Sequence, residues 1–306
     1  MMIHDKHQQT VKINDFEAPS KNCPVCSAEA LFDPSAWRAL ALDQAPQRYY
    51  VIMRCGDCGL RWLDPFPSSE GYKFMYDDNY YSSIESCDHS CDEKRVELSL
   101  YYLKIVEHFR VLGVSNRLCD IGCGRGEFLD ILRKSGMASE GLDPSKYATE
   151  MAAARGHKVW HGTLDDFPAK PSSFSAAHCS HVRVHVPDAH VFLDRVRELL
   201  EPGAPLYLEV PLQFGGLLER IARLRGEKRH FTAYSIHHHY FFTPRSLTKL
   251  LQDHGFDVIS LTTFLPCRRG MRPPGPRKWL LQTLLWLANK LSQSGDVISV
   301  WARRQQ

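Results

Sequence analysis

Apolar residues at Val96, Leu100, Leu103, Val106 and Phe109 recur at near-helical spacing and predict a helix over 93–112. The chain then reads Arg117-Leu-Cys-Asp-Ile-Gly122-Cys-Gly124-Arg-Gly126-Glu-Phe-Leu129, a short apolar strand, a glycine-rich turn and the start of a helix. A second short strand, Glu140-Gly-Leu-Asp143, ends on a carboxylate. Upstream, Arg48-Tyr-Tyr-Val-Ile-Met53 has the pattern of a strand; downstream, a helix is expected over 245–254, followed by strands at Gly255–Leu261 and Asp296–Trp301. Between those two strands, Trp279–Leu291 is helical in pattern and strongly apolar, yet shorter than the ~20 residues that cross a bilayer.

Composition narrows the class. The chain has 306 residues, 43% hydrophobic and 24% charged, enough for two domains or one large domain with additions. The first twenty residues hold no apolar signal-peptide core, which points to the cytosol, where the ten cysteines read as thiols or metal ligands sooner than as disulfides. The net charge of +3 is uneven: residues 266–306 carry eight basic side chains against one acid, Asp296, so the remainder is mildly acidic. An acidic body is a poor match for a surface that grips phosphates, and no nucleic-acid partner is expected.

Two cysteine pairs carry the first chemical signal. Cys23-Pro-Val-Cys26 and Cys55-Gly-Asp-Cys58 share C-x2-C spacing, and each is followed by a small residue, Ser27 or Gly59, that lets a knuckle turn tightly. Together they would form a tetrahedral four-cysteine site. Zinc is the expected metal because thiolates favour it, and a closed all-sulfur shell makes the role structural. The glycine loop is the second signal. Glycines at 122, 124 and 126 remove side chains where a backbone must approach a ligand, and the following helix N-terminus favours negative groups. Asp143 comes roughly 20 residues after Gly122, the interval that puts an acid where it can accept from ribose hydroxyls. By that interval alone a dinucleotide enzyme stays open, although its fingerprint is G-x-G-x-x-G and this loop is G-x-G-x-G behind Asp120.

Asp120-Ile-Gly-Cys-Gly-Arg-Gly126 resembles the first motif of class I S-adenosylmethionine-dependent methyltransferases, and Gly141-Leu-Asp-Pro-Ser145 resembles their second. Gly162–Pro168 is similar to the loop after that family's third strand, Ser173–His178 to its fourth strand, and Leu199–Gly203 with Leu206–Pro211 to its helix-to-fifth-strand corner. With the cysteine knuckles and Trp62-Leu-Asp-Pro-Phe-Pro67 ahead of this core, the chain resembles bacterial methyltransferases with an N-terminal zinc-binding domain, notably sugar C-methyltransferases. The resemblance implies a Rossmann-like α/β sheet that ends in an antiparallel pair, with a small zinc-ribbon-like domain before it. The implied division is a tail over 1–20, a zinc-binding domain over 21–85, a methyltransferase core over 86–265, and a basic apolar-helix insertion with the last strand over 266–306.

Carried over by position, the resemblance assigns Gly122, Gly124 and Gly126 to the methionine portion of S-adenosylmethionine, Asp120 to its ammonium, Asp143 to the ribose and Leu164 to the edge of the adenine. Thr163 stands where many relatives have aspartate, with Asp165 as a substitute. A methyl acceptor must also lose a proton, and histidine is the base best suited to neutral pH. His238, counted back from Phe242-Thr-Pro244, falls on the histidine that sugar C-methyltransferases use as a base. His185 is a substrate contact or alternative base in a segment similar to the family's H-V-L-E-H-V, with Val184 in place of its glutamate. Tyr76 and Tyr80 either cap the cofactor or pack between domains. The 279–291 helix either buries its face against the core or a second copy, or rests on an anionic membrane surface, which would place the protein at the inner face of the membrane. The expected acceptor is a small molecule, a nucleotide-linked sugar or glycan precursor. The alternatives are a quinone or other lipid-soluble metabolite methylated on oxygen, or a zinc-binding scaffold that has lost catalysis.

Overall fold

The computed structural model describes residues 22–32, 51–64, 66, 92–114, 117–180, 186, 188–214, 224, 238–264 and 295–306. A seven-stranded sheet forms the frame. In chain order its strands are β4 (Leu118–Ile121), β5 (Ser139–Asp143), β6 (Val159–His161), β7 (Ala176–Ser180), β8 (Pro205–Pro211), β10 (Phe256–Phe264) and β11 (Val297–Arg304). Their spatial order is β10-β11-β8-β7-β4-β5-β6. The pairs among β8, β7, β4, β5 and β6 are parallel, whereas β11 runs antiparallel to both β8 and β10. From β4 the chain builds outward through β5 to β6, then returns across the sheet to β7. That reversal opens a crevice at the C-terminal ends of β4 and β7, where open α/β sheets bind ligands.

Helices α1 (Asp92–Val111), α2 (Glu127–Lys134), α3 (Lys146–Ala154), α4 (Ala189–Leu199) and α5 (Pro244–Asp253) cover the sheet. In α2 the residues Phe128, Leu129, Ile131 and Leu132 are buried while Asp130 pairs with Arg133 and Lys134 is exposed, the division expected of a surface helix. Helix α5 opens with a capping box between Thr243 and Ser246 and a proline in its first turn, so its start is fixed by local chemistry. The expected fourth strand is displaced towards the C-terminus. Ser172, at φ 52°, holds a turn, and Phe174 makes only an isolated bridge to Leu200 before regular pairing begins at Ala176.

A second, four-stranded antiparallel sheet holds β1 (Ala30–Phe32), β2 (Val51–Cys55), β3 (Arg61–Asp64) and β9 (Tyr240–Phe241), in the order β1-β2-β3-β9. Its last strand comes from far along the chain. Trp62, Leu60, Tyr240 and Phe242 from this sheet and its flanks share one buried cluster with Leu247 and Leu250 of α5 and with the strands of the large sheet. Polar contacts reinforce the seam. Thr243 Oγ1 donates to the Cys58 carbonyl at 3.0 Å, Arg245 pairs with Asp57 at 2.9 Å, and His190 Nε2 donates to the Pro24 carbonyl at 2.6 Å. His190 in turn meets His254, which is anchored to Asp194.

Close packing beneath the glycine loop gives a first expected result. A Cβ added to Gly141 in β5 would sit 2.7 Å from Cys123 Sγ and 2.9 Å from Leu129 Cδ1. Gly141→Ala should therefore lose about 1–3 kcal/mol by overpacking, read as a lower urea midpoint at unchanged slope. An unshifted midpoint would show that the loop yields freely.

Candidate active site and four-cysteine cluster

The glycine loop leaves β4 at Ile121, at the crevice. Gly122, Gly124 and Gly126 have φ of 75°, 52° and 86°, left-handed values costly for any residue with a Cβ. A Cβ on Gly124 would meet nothing within 4 Å among the described residues, so the loop presents bare backbone there. Three hydrogen bonds stitch it to β5, and a fourth, local to the turn after β5, holds the acid. Gly122 and Cys123 donate to the Leu142 carbonyl at 2.8 and 3.0 Å, Gly124 N–H donates to Asp143 Oδ2 at 3.0 Å, and Ser145 N–H donates to Asp143 Oδ1 at 2.9 Å. Asp143 is thus held by the backbone on both sides.

Beyond β5, His161 Nε2 donates to the Pro144 carbonyl at 3.1 Å and braces the turn after Asp143. Leu164 is buried in the main core, in the loop after β6, as the wall of a pocket would be. Thr163 donates to Asp166 at 2.9 Å, which orders that loop, and Asp165 is exposed. Asp120 is buried in β4, and its Oδ1 accepts from His178 Nδ1 at 2.7 Å.

His238 lies at the same end of the sheet. Gln213, buried just past β8, accepts from His238 Nδ1 at 3.0 Å through Oε1. A donating Nδ1 leaves the Nε2 lone pair of the neutral ring as proton acceptor, the tautomer a base requires. The histidine is delivered there by the small sheet. The His239 carbonyl accepts from Leu63 N–H at 3.0 Å, and Tyr240 pairs with Trp62 immediately afterwards. His185, with His181 and Val184, lies outside the described residues, as do Tyr76, Tyr80 and the 279–291 helix.

The four knuckle sulfurs converge. All lie within 4.8 Å of one another, with Cys23 Sγ 3.6 Å from Cys58 Sγ and Cys26 Sγ 3.4 Å from Cys55 Sγ. Metal–sulfur bonds of about 2.3 Å in a tetrahedron put sulfurs about 3.8 Å apart, so the donor set fits one thiolate-bound ion with little rearrangement. Backbone N–H groups of Val25, Asp57 and Cys58 point at Cys23 and Cys55 sulfurs at 3.3–3.4 Å and would stabilise thiolate charge. Ser27 at φ 61° and Gly59 at φ 76° turn the two knuckles alike. The hydrogen bond with Cys58, against the cost of burial, lowers the Cys23 thiol to about 5. The same contact, then burial, pushes Cys58 up, so one sulfur holds the proton its neighbour gives up.

His178 opens the histidine cluster that runs on to His185, but sequence reading assigned it no role of its own. Its signal was positional. The first and fourth strands of such a sheet are neighbours, so a histidine in the middle of β7 faces the acid of β4, whereas attention to the loop that follows selects His185.

A seven-stranded sheet with one reversed strand, a glycine loop at its switch point and an acid ending the next strand define a methyltransferase core. A family model described as "Methyltransferase domain" matches residues 95–261, and the chain belongs to that family of enzymes. Ubiquinone biosynthesis O-methyltransferase of Xanthomonas axonopodis pv. citri is 26% identical over 165 residues, 49% of this chain and 66% of its own length. Among solved structures, a SAM-dependent methyltransferase from Archaeoglobus fulgidus aligns at TM-score 0.48 and 17% identity, covering 69% of this chain and 94% of its own. Phosphoethanolamine N-methyltransferase 2 of Haemonchus contortus, in complex with S-adenosyl-L-methionine, aligns at 0.49 and 15%, covering 80% and 63%.

Proposed function

We propose that this enzyme transfers a methyl group from S-adenosylmethionine to a small-molecule acceptor, with His238 as the base. The observation that carries the reading is the stitched pair of glycine loop and Asp143 at the switch point, with bare backbone at Gly124. Gly122, Gly124 and Gly126 would line the donor's amino-acid end, Asp120 would offset its positive charge, Asp143 would take the ribose hydroxyls, and Leu164 would border the base. Bound there, the donor supplies a methyl group on a sulfonium that already leaves readily. The protein's task is to align the acceptor, exclude water and remove a proton. His238, oriented by Gln213, takes that proton on Nε2.

A structural zinc in the four-cysteine cluster is part of the same reading. It fits the sulfur spacing, and the small sheet it would staple carries His238. The cysteine knuckles and His238 together favour a nucleotide-linked sugar or glycan precursor as acceptor. A second reading, O-methylation of a lipid-soluble phenol, is favoured by the ubiquinone-pathway relative. Among the described residues no helix is long and apolar enough to cross a membrane.

Calorimetric titration with S-adenosylmethionine and separately with NAD tests the donor. Saturable binding of the first alone is expected, and binding of NAD alone would sink the assignment. Radiolabelled methyl transfer to panels of nucleotide sugars and of phenols then separates the acceptor classes. His238→Ala should lower turnover about 10²–10⁴-fold, the usual worth of a general base, while donor affinity holds. Turnover within about threefold of wild type would remove His238 from the chemistry.

A further inference from the structure

In-register pairing of β4 with β7 sets Asp120 beside His178, and both are removed from water at 2% and 3% exposure. A carboxylate only accepts, so His178 Nδ1 carries the hydrogen of their 2.7 Å bond. The other ring nitrogen, Nε2, is buried and has no hydrogen-bond partner among the described residues. The ring is sandwiched by Tyr207, parallel at 5.5 Å, and Phe128 at 4.0 Å, with Tyr102 edge-on at 6.3 Å. A buried imidazole fixed at one nitrogen by a buried acid, with the second nitrogen uncommitted, is more than packing requires.

The ionisable groups that face this pair can be named. From β8 come Tyr207 and Glu209, from α1 Tyr101 and Tyr102, and from the start of α2 Glu127. Glu209 accepts the phenol hydrogens of both Tyr207 and Tyr101. Burial first, then nearby carboxylates, pushes all three phenols up, so they keep their protons. Burial does the same for the Cys119 and Cys123 thiols beside Asp120.

We propose that His178 is a positioning residue for capture of the methyl donor. It holds Asp120 through Nδ1 and so fixes the carboxylate in one orientation. The inference rests on the reading that Asp120 faces the ammonium of S-adenosylmethionine. A carboxylate already held in place meets a cationic group without first having to be ordered, so donor affinity depends on the Nδ1 donor.

The test is calorimetric titration of the whole chain with S-adenosylmethionine for wild type, His178→Ala, His178→Asn and Asp120→Asn. Alanine removes the Nδ1 donor, whereas the asparagine amide can replace it. His178→Ala is expected to bind up to about tenfold more weakly and His178→Asn to recover most of that loss. Asp120→Asn, which keeps an acceptor but no charge, should bind weakly, and it carries the test if His178→Ala does not fold. Wild-type affinity in His178→Ala or in Asp120→Asn, or His178→Asn that binds no better than His178→Ala, overturns the proposal alone. Wild type that binds no donor overturns the donor reading, and this inference with it. Nitrogen-15 NMR of the free protein checks the pair independently of any donor. The histidine signal lost in His178→Asn should show hydrogen on Nδ1, and the opposite tautomer would end the proposal.

Discussion

Cys55→Ser should yield a protein that no longer takes up the proposed zinc, melts well below wild type and transfers methyl groups at least about 100-fold more slowly. Cys55 ends β2, is almost fully buried, and its sulfur receives the N–H groups of Asp57 and Cys58 as well as facing Cys26 at 3.4 Å. In small zinc domains metal binding supplies on the order of 10 kcal/mol of folding free energy, so a missing thiolate removes much of what holds the knuckles together. The damage should then travel along the small sheet. Its edge strand β9 follows His238 directly, and Thr243 ties the start of α5 to the Cys58 carbonyl. Loosened knuckles release His238 from Gln213. The glycine loop and Asp143 belong to the large sheet, so donor affinity should fall far less than turnover. Metal analysis, thermal unfolding and the ratio of turnover to donor affinity measure these together. Wild-type zinc content and melting in Cys55→Ser would contradict the structural role, and turnover lost in proportion to donor affinity would contradict the link to His238.

That link shows where sequence reading reaches its limit. The knuckles, the glycine loop, Asp143 and the antiparallel final strands were legible because each depends on residues close in the chain: cysteine spacing, φ-permissive glycines, an acid at a strand end, alternating apolar runs. The edge strand Tyr240–Phe241 was not legible, since two residues carry no period and its partner Trp62 lies far up the chain. The Asp120–His178 bond escaped for a related reason. Strand order, not sequence distance, makes them neighbours, and a histidine within Ala176-Ala-His-Cys-Ser180 reads locally as a polar interruption of a buried strand. Conversely, the turn at Ser172 moved the start of β7 by a few residues because a left-handed conformation is settled by its surroundings as much as by residue type.

Asp143→Ala is expected to abolish measurable donor binding while leaving zinc content unchanged. Two losses combine at this position. The carboxylate would no longer accept the ribose hydroxyls that the proposed function assigns to it, and charge-assisted bonds of this kind are worth about 1.5–3 kcal/mol each. The N–H groups of Gly124 and Ser145, now held at 3.0 and 2.9 Å, would lose their acceptor, so the loop that must stay bare and fixed over the crevice would loosen. At 1.4 kcal/mol per tenfold, the direct loss alone amounts to about 100-fold or more in the dissociation constant. The thermal midpoint should fall only modestly, because Leu142 still anchors Gly122 and Cys123 through its carbonyl and β4–β5 pairing is intact. Asp143→Asn separates the two contributions. Its amide oxygen can still accept from one backbone N–H, whereas its –NH2 group cannot accept from a hydroxyl, so it should recover stability before affinity. Equal donor affinity in wild type and Asp143→Ala would remove Asp143 from the binding site and leave it as a loop anchor alone. Affinity lost together with zinc would mean that the two sheets fail as one unit, not at the crevice.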